Sequence, residues 1–157
     1  MKHITEKRKK VQFHLRNLQK KVKLNLDEIK EKTKKLSEII DGPPYNVSVV
    51  FVSNRKIIQL NKKFLRRNFP TDVLSFTISK NYGEIIISTE KAKENSAIYN
   101  NTPEKEIVYL IIHGFLHLKG YRDYTEKEFK NMKRVQDKIF KKLYPEDRSS
   151  EPGPSST

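Results

Sequence analysis

Residues 103–123, PEKEIVYLIIHGFLHLKGYRD, decide the fold of this chain. From Pro103 to Lys119 the segment is apolar on nearly all sides, and this pattern predicts a helix buried at the centre of a domain. Thr102 provides a cap in front of the proline, and Gly120 is typical of the left-handed residue at which a helix ends. We therefore expect the other elements of the chain to pack around this helix.

The rest of the chain alternates between strand-like and helix-like patterns. Residues 46–52 (NVSVVFV) are β-branched and aromatic and form the clearest predicted strand. Thr125 and Glu128 form a capping box that predicts the start of a last helix. The order β-α-β-α-β-β-α-α-α indicates one α+β domain, with about five helices around a small mixed sheet of about four strands. The predicted strands are 11–15, 46–52, 73–78 and 83–88, and the predicted helices are 26–40, 54–64, 90–99, 103–119 and 125–143.

The length of 157 residues suits one domain with a single core. We expect that domain to span residues 11–145. Residues 1–10 (MKHITEKRKK) are polar and basic and predict a flexible N-terminus. Residues 146–157 are rich in Ser and Pro and poor in apolar side chains, and they predict a disordered tail.

The charge is strongly positive and unevenly distributed. Lys and Arg number 33 against 19 Asp and Glu, which gives a formal charge of +14, and residues 1–35 carry +9 of it. Such clustering favours a polyanionic partner such as RNA, because neutralised phosphates release counterions. Lys20, Lys21 and Lys23 are candidate RNA contacts within this region. The alternative is a solvated, lysine-rich surface of a heat-adapted protein.

Several classes of protein are excluded by composition. The absence of Cys excludes disulfides, Cys-based zinc fingers and thiol nucleophiles. No apolar run approaches the roughly 18–20 residues of a membrane span, and no short apolar stretch follows the basic N-terminus as in a secretory signal. We therefore expect a cytoplasmic protein with no membrane partner.

The candidate chemistry lies at the end of the central helix. His113 and His117 are four residues apart and therefore share one face of the helix. They lie in its C-terminal half, where the helix dipole favours a cation, and after Gly120 the chain can turn back to bring in Asp123. Two imidazoles and one carboxylate leave a fourth tetrahedral position open, which is typical of a catalytic zinc site. The alternative is that both histidines are core residues bonded to backbone carbonyls, but a helix of Ile and Leu offers few such partners.

One residue argues against a peptidase. Zinc proteases with the motif H-E-x-x-H carry a Glu beside the first His as the general base. That position is Gly114 here. A peptidase mechanism of this kind therefore lacks its base.

These residues resemble the YbeY family of bacterial endoribonucleases and ribosomal RNA maturation factors. Residues 113–121 (HGFLHLKGY) are similar to the family signature H-G-x-L-H-L-x-G-Y, and residues 70–76 (PTDVLSF) to its P-T-D-V-L-S-F strand. Residues 83–88 (GEIIIS) resemble the strand G-D-I-x-I-S, and Leu60-Asn61 matches an L-N pair before a basic connector. The resemblance covers about residues 11–144.

The resemblance implies a metal-dependent, single-strand-specific endoribonuclease. Such an enzyme processes ribosomal RNA precursors, notably at the 3′ end of the small-subunit RNA, and acts in ribosome quality control, so ribosomal RNA and the small subunit are the implied partners. One zinc ion per chain would be held by His113, His117 and Asp123. The family has His as its third ligand, and an inserted residue would place Tyr124 there instead of Asp123.

A second departure concerns an arginine of the family. Its position is occupied by Leu65 in this chain, and Arg66 or Arg67 is the candidate catalytic replacement. Two other functions stay open beside the endoribonuclease: a metal-dependent hydrolase of peptides or small molecules, and a non-enzymatic ribosome-assembly factor with a structural metal.

Overall fold

The computed structural model describes residues 9–65 and 71–146. Residues 1–8 and 147–157, which make up most of the predicted flexible N-terminus and disordered tail, lie outside this part of the chain. The described elements are β1 (Gln12–Asn17), α1 (Leu26–Ile39), β2 (Asn46–Val52), α2 (Asn54–Leu65), β3 (Val73–Ser79), β4 (Tyr82–Ser88), α3 (Thr89–Ile98), α4 (Pro103–Leu118) and α5 (Glu126–Leu143).

The four strands form one mixed sheet in the order β1-β2-β4-β3. β1 and β4 each run parallel to β2, while β3 pairs with β4 in the antiparallel sense. The predicted α+β fold with four strands and five helices is confirmed.

The central helix α4 is buried as predicted. Its residues from Glu106 to Leu116 are all buried, and it packs against β3, β4 and the helices α1, α3 and α5. The main core therefore lies between one face of the sheet and these helices and includes residues from Val11 to Tyr144. α2 covers the other face through a smaller cluster around Ile57 and Val50.

Close packing fixes the direction of α4 on the sheet. A Cβ atom on Gly114 would lie 2.8 Å from Cγ2 of Ile85, and one on Gly83 would lie 2.6 Å from Cδ1 of Leu118. Both contacts are shorter than two carbon atoms allow. Ile85 is fully buried, so glycine at 114 lets the helix approach β4, whereas the Leu118 side chain could move away from a Cβ atom at position 83. The C-terminal end of α4 consequently lies over the start of β4.

The predicted helix ends are present. The Thr102 side chain accepts from the backbone N–H of Lys105 at the start of α4, and Thr125 forms the capping box with Glu128. Gly120 has a φ of 100°, a conformation that favours glycine and turns the chain after the helix. Among residues 9–65 and 71–146, no helix combines the length and the apolar character needed to cross a membrane.

Candidate metal centre

The centre lies where α4 ends and the chain turns back. His113 is buried with 2% of its surface exposed, while His117, one turn later, is half-buried. Gly120 reverses the chain, and the backbone N–H of Tyr121 donates to the carbonyl oxygen of Leu116 at 2.9 Å. This turn returns Asp123 to the helix.

Three ligand atoms converge at this point. The Nε2 atoms of His113 and His117 lie 3.0 Å apart. Oδ2 of Asp123 lies 3.7 Å from the first Nε2 atom and 3.4 Å from the second. Ligand atoms around a tetrahedral zinc ion, at bond lengths of about 2.0–2.1 Å, are separated by roughly 3.3–3.4 Å. The three residues form a group that could bind a metal ion.

The opposite nitrogen atoms of both rings are held by acceptors. Nδ1 of His117 lies 3.0 Å from the carbonyl oxygen of Tyr121, and Nδ1 of His113 lies 3.1 Å from Oε1 of Gln136. The Gln136 amide is itself oriented, because its Nε2 donates to the carbonyl oxygen of Tyr109 at 3.1 Å. Carbonyl oxygens only accept, so both Nδ1 atoms are assigned as the protonated donors.

These hydrogen bonds determine what the centre presents. A neutral imidazole that donates from Nδ1 has an unprotonated Nε2, so two nitrogen lone pairs and a carboxylate oxygen face one another. Burial lowers the pKa of His113 below its usual value, although the bond to Gln136 acts in the opposite direction. The neutral ring is the form that binds a metal. Three mutually repelling acceptors at these distances are the arrangement that a cation stabilises.

The glycine beside His113 has a structural reason. Gly114 faces the sheet, where Ile85 leaves no room for a Cβ atom, and its carbonyl oxygen accepts from the hydroxyl of Ser75 at 3.3 Å. A Glu at this position, as in H-E-x-x-H, would point into β4 and not toward the histidines. The geometry therefore agrees with the argument against a peptidase of that type.

The other predicted site residues lie elsewhere. Tyr124 is 79% exposed, and its ring lies against Arg122, so the structure brings Asp123 and not Tyr124 to the histidines. Arg66 and Arg67 lie outside the described residues.

The three candidate RNA-binding lysines are exposed, and none of them belongs to the group of side chains at the metal centre. They lie in the segment after β1, and at the end of that segment the backbone N–H of Asn25 donates to Glu104 at the start of α4. At 1.5 Å per residue, Glu104 is roughly 13–20 Å along the helix axis from the two histidines. The lysines in question are Lys20, Lys21 and Lys23.

Gln136 is the residue that the sequence interpretation missed. It is 1% exposed and belongs to the buried face of α5, together with Met132, Phe140 and Leu143. A glutamine repeating with apolar residues at helical spacing was the available signal, because a buried amide requires polar partners. One of those partners is His113.

The fold and the centre together define a class. The chain is an α+β protein in which a buried central helix carries two histidines that meet an aspartate, as in metal-dependent hydrolases with an open coordination position. A sequence model described as Endoribonuclease YbeY matches residues 3–144. The chain belongs to this family.

Individual relatives agree with the family assignment. The endoribonuclease YbeY of Thermotoga neapolitana is 40% identical over 126 residues, which cover 78% of this chain and 85% of that protein. The endoribonuclease YbeY of Aster yellows witches'-broom phytoplasma is 41% identical over 104 residues, or 60% of this chain and 71% of that protein. The solution structure of TM1509 from Thermotoga maritima matches with a TM-score of 0.62 and 34% identity, and the match covers 90% of this chain and 99% of the other.

Proposed function

We propose that the chain is a metal-dependent, single-strand-specific endoribonuclease with one zinc ion held by His113, His117 and Asp123. Its substrate is ribosomal RNA, it acts in the cytoplasm on precursors of the small-subunit RNA and in ribosome quality control, and the small subunit is its partner. Family membership supports the nuclease activity and an RNA substrate. The positive charge of +14 supports a polyanionic substrate.

One observation carries the proposal: the Nδ1 atom of each histidine is hydrogen-bonded on the side of the ring opposite the metal centre. Because Gln136 and the carbonyl oxygen of Tyr121 accept from the Nδ1 atoms, the Nε2 lone pairs are directed to the point that Asp123 also faces. The two Nε2 atoms and the Asp123 oxygen together form a group that could hold one metal ion. The partial exposure of His117 and Asp123 leaves access for a substrate from one side.

Residues of the chain orient the metal ligands and neutralise charge on the phosphate of the substrate. His113, His117 and Asp123 would hold a divalent ion, which would supply polarisation of a phosphoryl oxygen and a lowered pKa of bound water, toward ~7. Gln136 and the Tyr121 carbonyl keep the imidazoles in their ligand tautomer and orientation. We assign to Arg66 or Arg67 the neutralisation of negative charge that develops on the phosphate, on the ground of sequence position alone.

Lys20, Lys21 and Lys23 hold the RNA backbone at a distance from the cleavage point. Their side chains are exposed, and contacts to phosphates position a strand without reading its sequence. The affinity for single-stranded RNA should therefore fall steeply as salt is raised. An affinity that is independent of salt contradicts this part of the proposal.

The test combines metal content and cleavage. We would measure zinc by mass spectrometry and the cleavage of single-stranded RNA for the unmodified chain, His117→Ala and Asp123→Ala. The expected result is about one zinc per chain, lost in both variants together with a fall in cleavage of about 10³-fold or more, because several kcal/mol of charge stabilisation disappear. The matched controls are His14→Ala and Asp27→Ala, which change exposed side chains outside the centre.

The outcomes separate the proposed function from its alternatives. Zinc loss that unfolds the chain while RNA binding persists in the folded remainder supports an assembly factor with a structural metal. Cleavage of peptides without cleavage of RNA supports a different hydrolase. An unmodified chain that binds no zinc after addition of the ion overturns the proposed mechanism.

A further inference from the structure

Beside the metal centre the surface carries an aromatic ring and two cations that the proposed mechanism does not use. Tyr124 directly follows Asp123 and is 79% exposed, more than any other large hydrophobic residue among those described. Arg122 and Lys119 line an adjacent groove of about 310 Å³, together with Tyr121, Glu128 and Asn131.

The ring has one charged neighbour and stands on an anchored stretch of backbone. The Cζ atom of Arg122 lies 5.2 Å from the centre of the Tyr124 ring, and Nε of Arg122 lies 3.6 Å from Oε2 of Glu128. The backbone is anchored on both sides, by the carbonyl of Tyr121 on His117 and by the capping box that begins at Thr125. An exposed aromatic side chain on an anchored turn loses little conformational freedom when a ligand covers it.

We infer that Tyr124 and Arg122 form a subsite for one unpaired nucleobase of the RNA strand, next to the proposed cleavage point. The inference rests on the proposed function and deepens it. Every base has a π face, so an open tyrosine ring binds bases without distinguishing their sequence. Lys119 and Arg122 supply positive charge for the neighbouring phosphates.

The ring of Tyr124 lies close to the proposed cleavage point, and this determines which nucleotide it can bind. Tyr124 is the next residue after a proposed metal ligand, about 3.8 Å away from Cα to Cα, so a base stacked on it belongs to a nucleotide close to the phosphate being cut. A base inside a duplex is already stacked on its neighbours and cannot occupy the ring. The subsite therefore contributes to preference for single-stranded RNA.

The test is a double-mutant cycle on binding. The probes are a short fluorescent single-stranded oligoribonucleotide and versions of it with an abasic residue at each position in turn. Tyr124→Ala should weaken binding of the intact probe roughly 5- to 150-fold, the range expected for one base–aromatic stack. Tyr124→Phe, which keeps the ring, should retain affinity within about threefold.

The abasic probes isolate the stacking contact. At one position, removal of the base should weaken binding to the unmodified chain by a similar factor and leave binding to Tyr124→Ala unchanged. Ile98→Ala is the matched control, since Ile98 is 67% exposed at the end of α3 and should have no effect. Zinc content should be equal in all variants, which excludes an indirect effect through Asp123.

Two results overturn the subsite. The first is that Tyr124→Ala binds the intact probe as tightly as the unmodified chain does. The second is that each abasic residue lowers the affinity of the two proteins by the same factor. Binding without cleavage by the unmodified chain contradicts the proposed function and leaves the cycle valid as a test of the subsite. An unmodified chain that does not bind the probe overturns both. A lowered melting temperature of Tyr124→Ala with unchanged affinity assigns the ring a structural role only.

Discussion

Both ends of α4 bury ionisable side chains, but the cost of burying them is offset in a different way at each end. At the N-terminal end Glu106 is 6% exposed and lies near Asp72, which is 2% exposed. Burial, with a smaller contribution from the charge of Asp72, raises the pKa of Glu106 from 4.5 to about 7. Around neutral pH this carboxyl therefore takes up a proton and loses its charge.

The C-terminal end of α4 buries its polar groups in a different arrangement. The ring protons of His113 and His117 are committed to Gln136 and to a backbone carbonyl, and burial lowers the pKa of His113. A second proton on this ring is therefore disfavoured, although Asp123 is close. The acid at one end of α4 therefore loses its charge by taking up a proton, whereas the histidine end presents lone pairs and a carboxylate that could bind a metal ion.

The largest expected difference between the two ends is the response to zinc. Zinc at about 1,000 times its dissociation constant should raise the free energy of unfolding by about 4 kcal/mol, because the ion binds the folded chain and not the unfolded one. The measurement is urea unfolding with and without the ion. Most of the increment should disappear in Asp123→Ala and persist in Asp27→Ala, and equal stability of the unmodified chain in both conditions contradicts the metal centre.

The stability contributed by Glu106, at the N-terminal end of α4, should instead depend on pH. The folded chain holds the Glu106 proton more tightly than the unfolded chain, so the stability due to this group is fully present below pH 4.5. It is lost as pH rises through about 7. The shift corresponds to about 3 kcal/mol.

In Glu106→Gln the side chain stays neutral at all pH values, so this variant should not lose stability as the pH rises through about 7. Urea unfolding at pH 5 and pH 8.5 should show the free energy of unfolding of the variant rising relative to that of the unmodified chain by about 2.5 kcal/mol, because part of the stability due to Glu106 is already lost at pH 5. Glu31→Gln changes an exposed residue of α1 and should stay within about 0.5 kcal/mol at both. Parallel pH profiles for Glu106→Gln and the unmodified chain contradict the raised pKa.

Local features of the sequence predicted most of the fold. The α+β class and the family are confirmed, and the strand at 46–52 and the start of α4 at Pro103 occur as predicted. These features depend on side-chain periodicity and caps, which are properties of short segments. The predicted helix at 90–99 begins one residue earlier, because Ser88 provides the cap.

Features that depend on packing between segments distant in the chain were harder to predict from the sequence. The His113–His117 spacing indicated a shared face, and the turn after Gly120 brings Asp123 to it. Neither spacing nor composition indicated that Gly114 is required by Ile85, because that contact joins a helix to a strand about thirty residues away. On α5 the fully buried positions include the polar Gln136 beside Phe140, whereas the apolar Phe129, Val135 and Ile139 are only half-buried.

The smallest predicted effect concerns Gln136, which supports the metal centre from behind. Gln136→Leu keeps the approximate volume but leaves Nδ1 of His113 without its partner and removes one of the hydrogen bonds that the Tyr109 carbonyl accepts. Loss of such a supporting hydrogen bond typically lowers metal affinity 10- to 100-fold. Competition with a zinc-binding dye would measure this change.

Gln19→Leu is the matched control for this variant. Gln19 is also a buried glutamine, bonded through both ends of its amide to the backbone of Val22, but it lies in the segment before α1, away from the centre. Both variants should lose stability by about 1–3 kcal/mol, since Gln136→Leu leaves the buried Nδ1 of His113 unpaired and Gln19→Leu removes the amide that pairs with the backbone of Val22. Only Gln136→Leu should lose zinc affinity. Equal zinc affinity in the two variants would show that the tautomer of His113 is set without Gln136 and would weaken the contrast between the ends of α4.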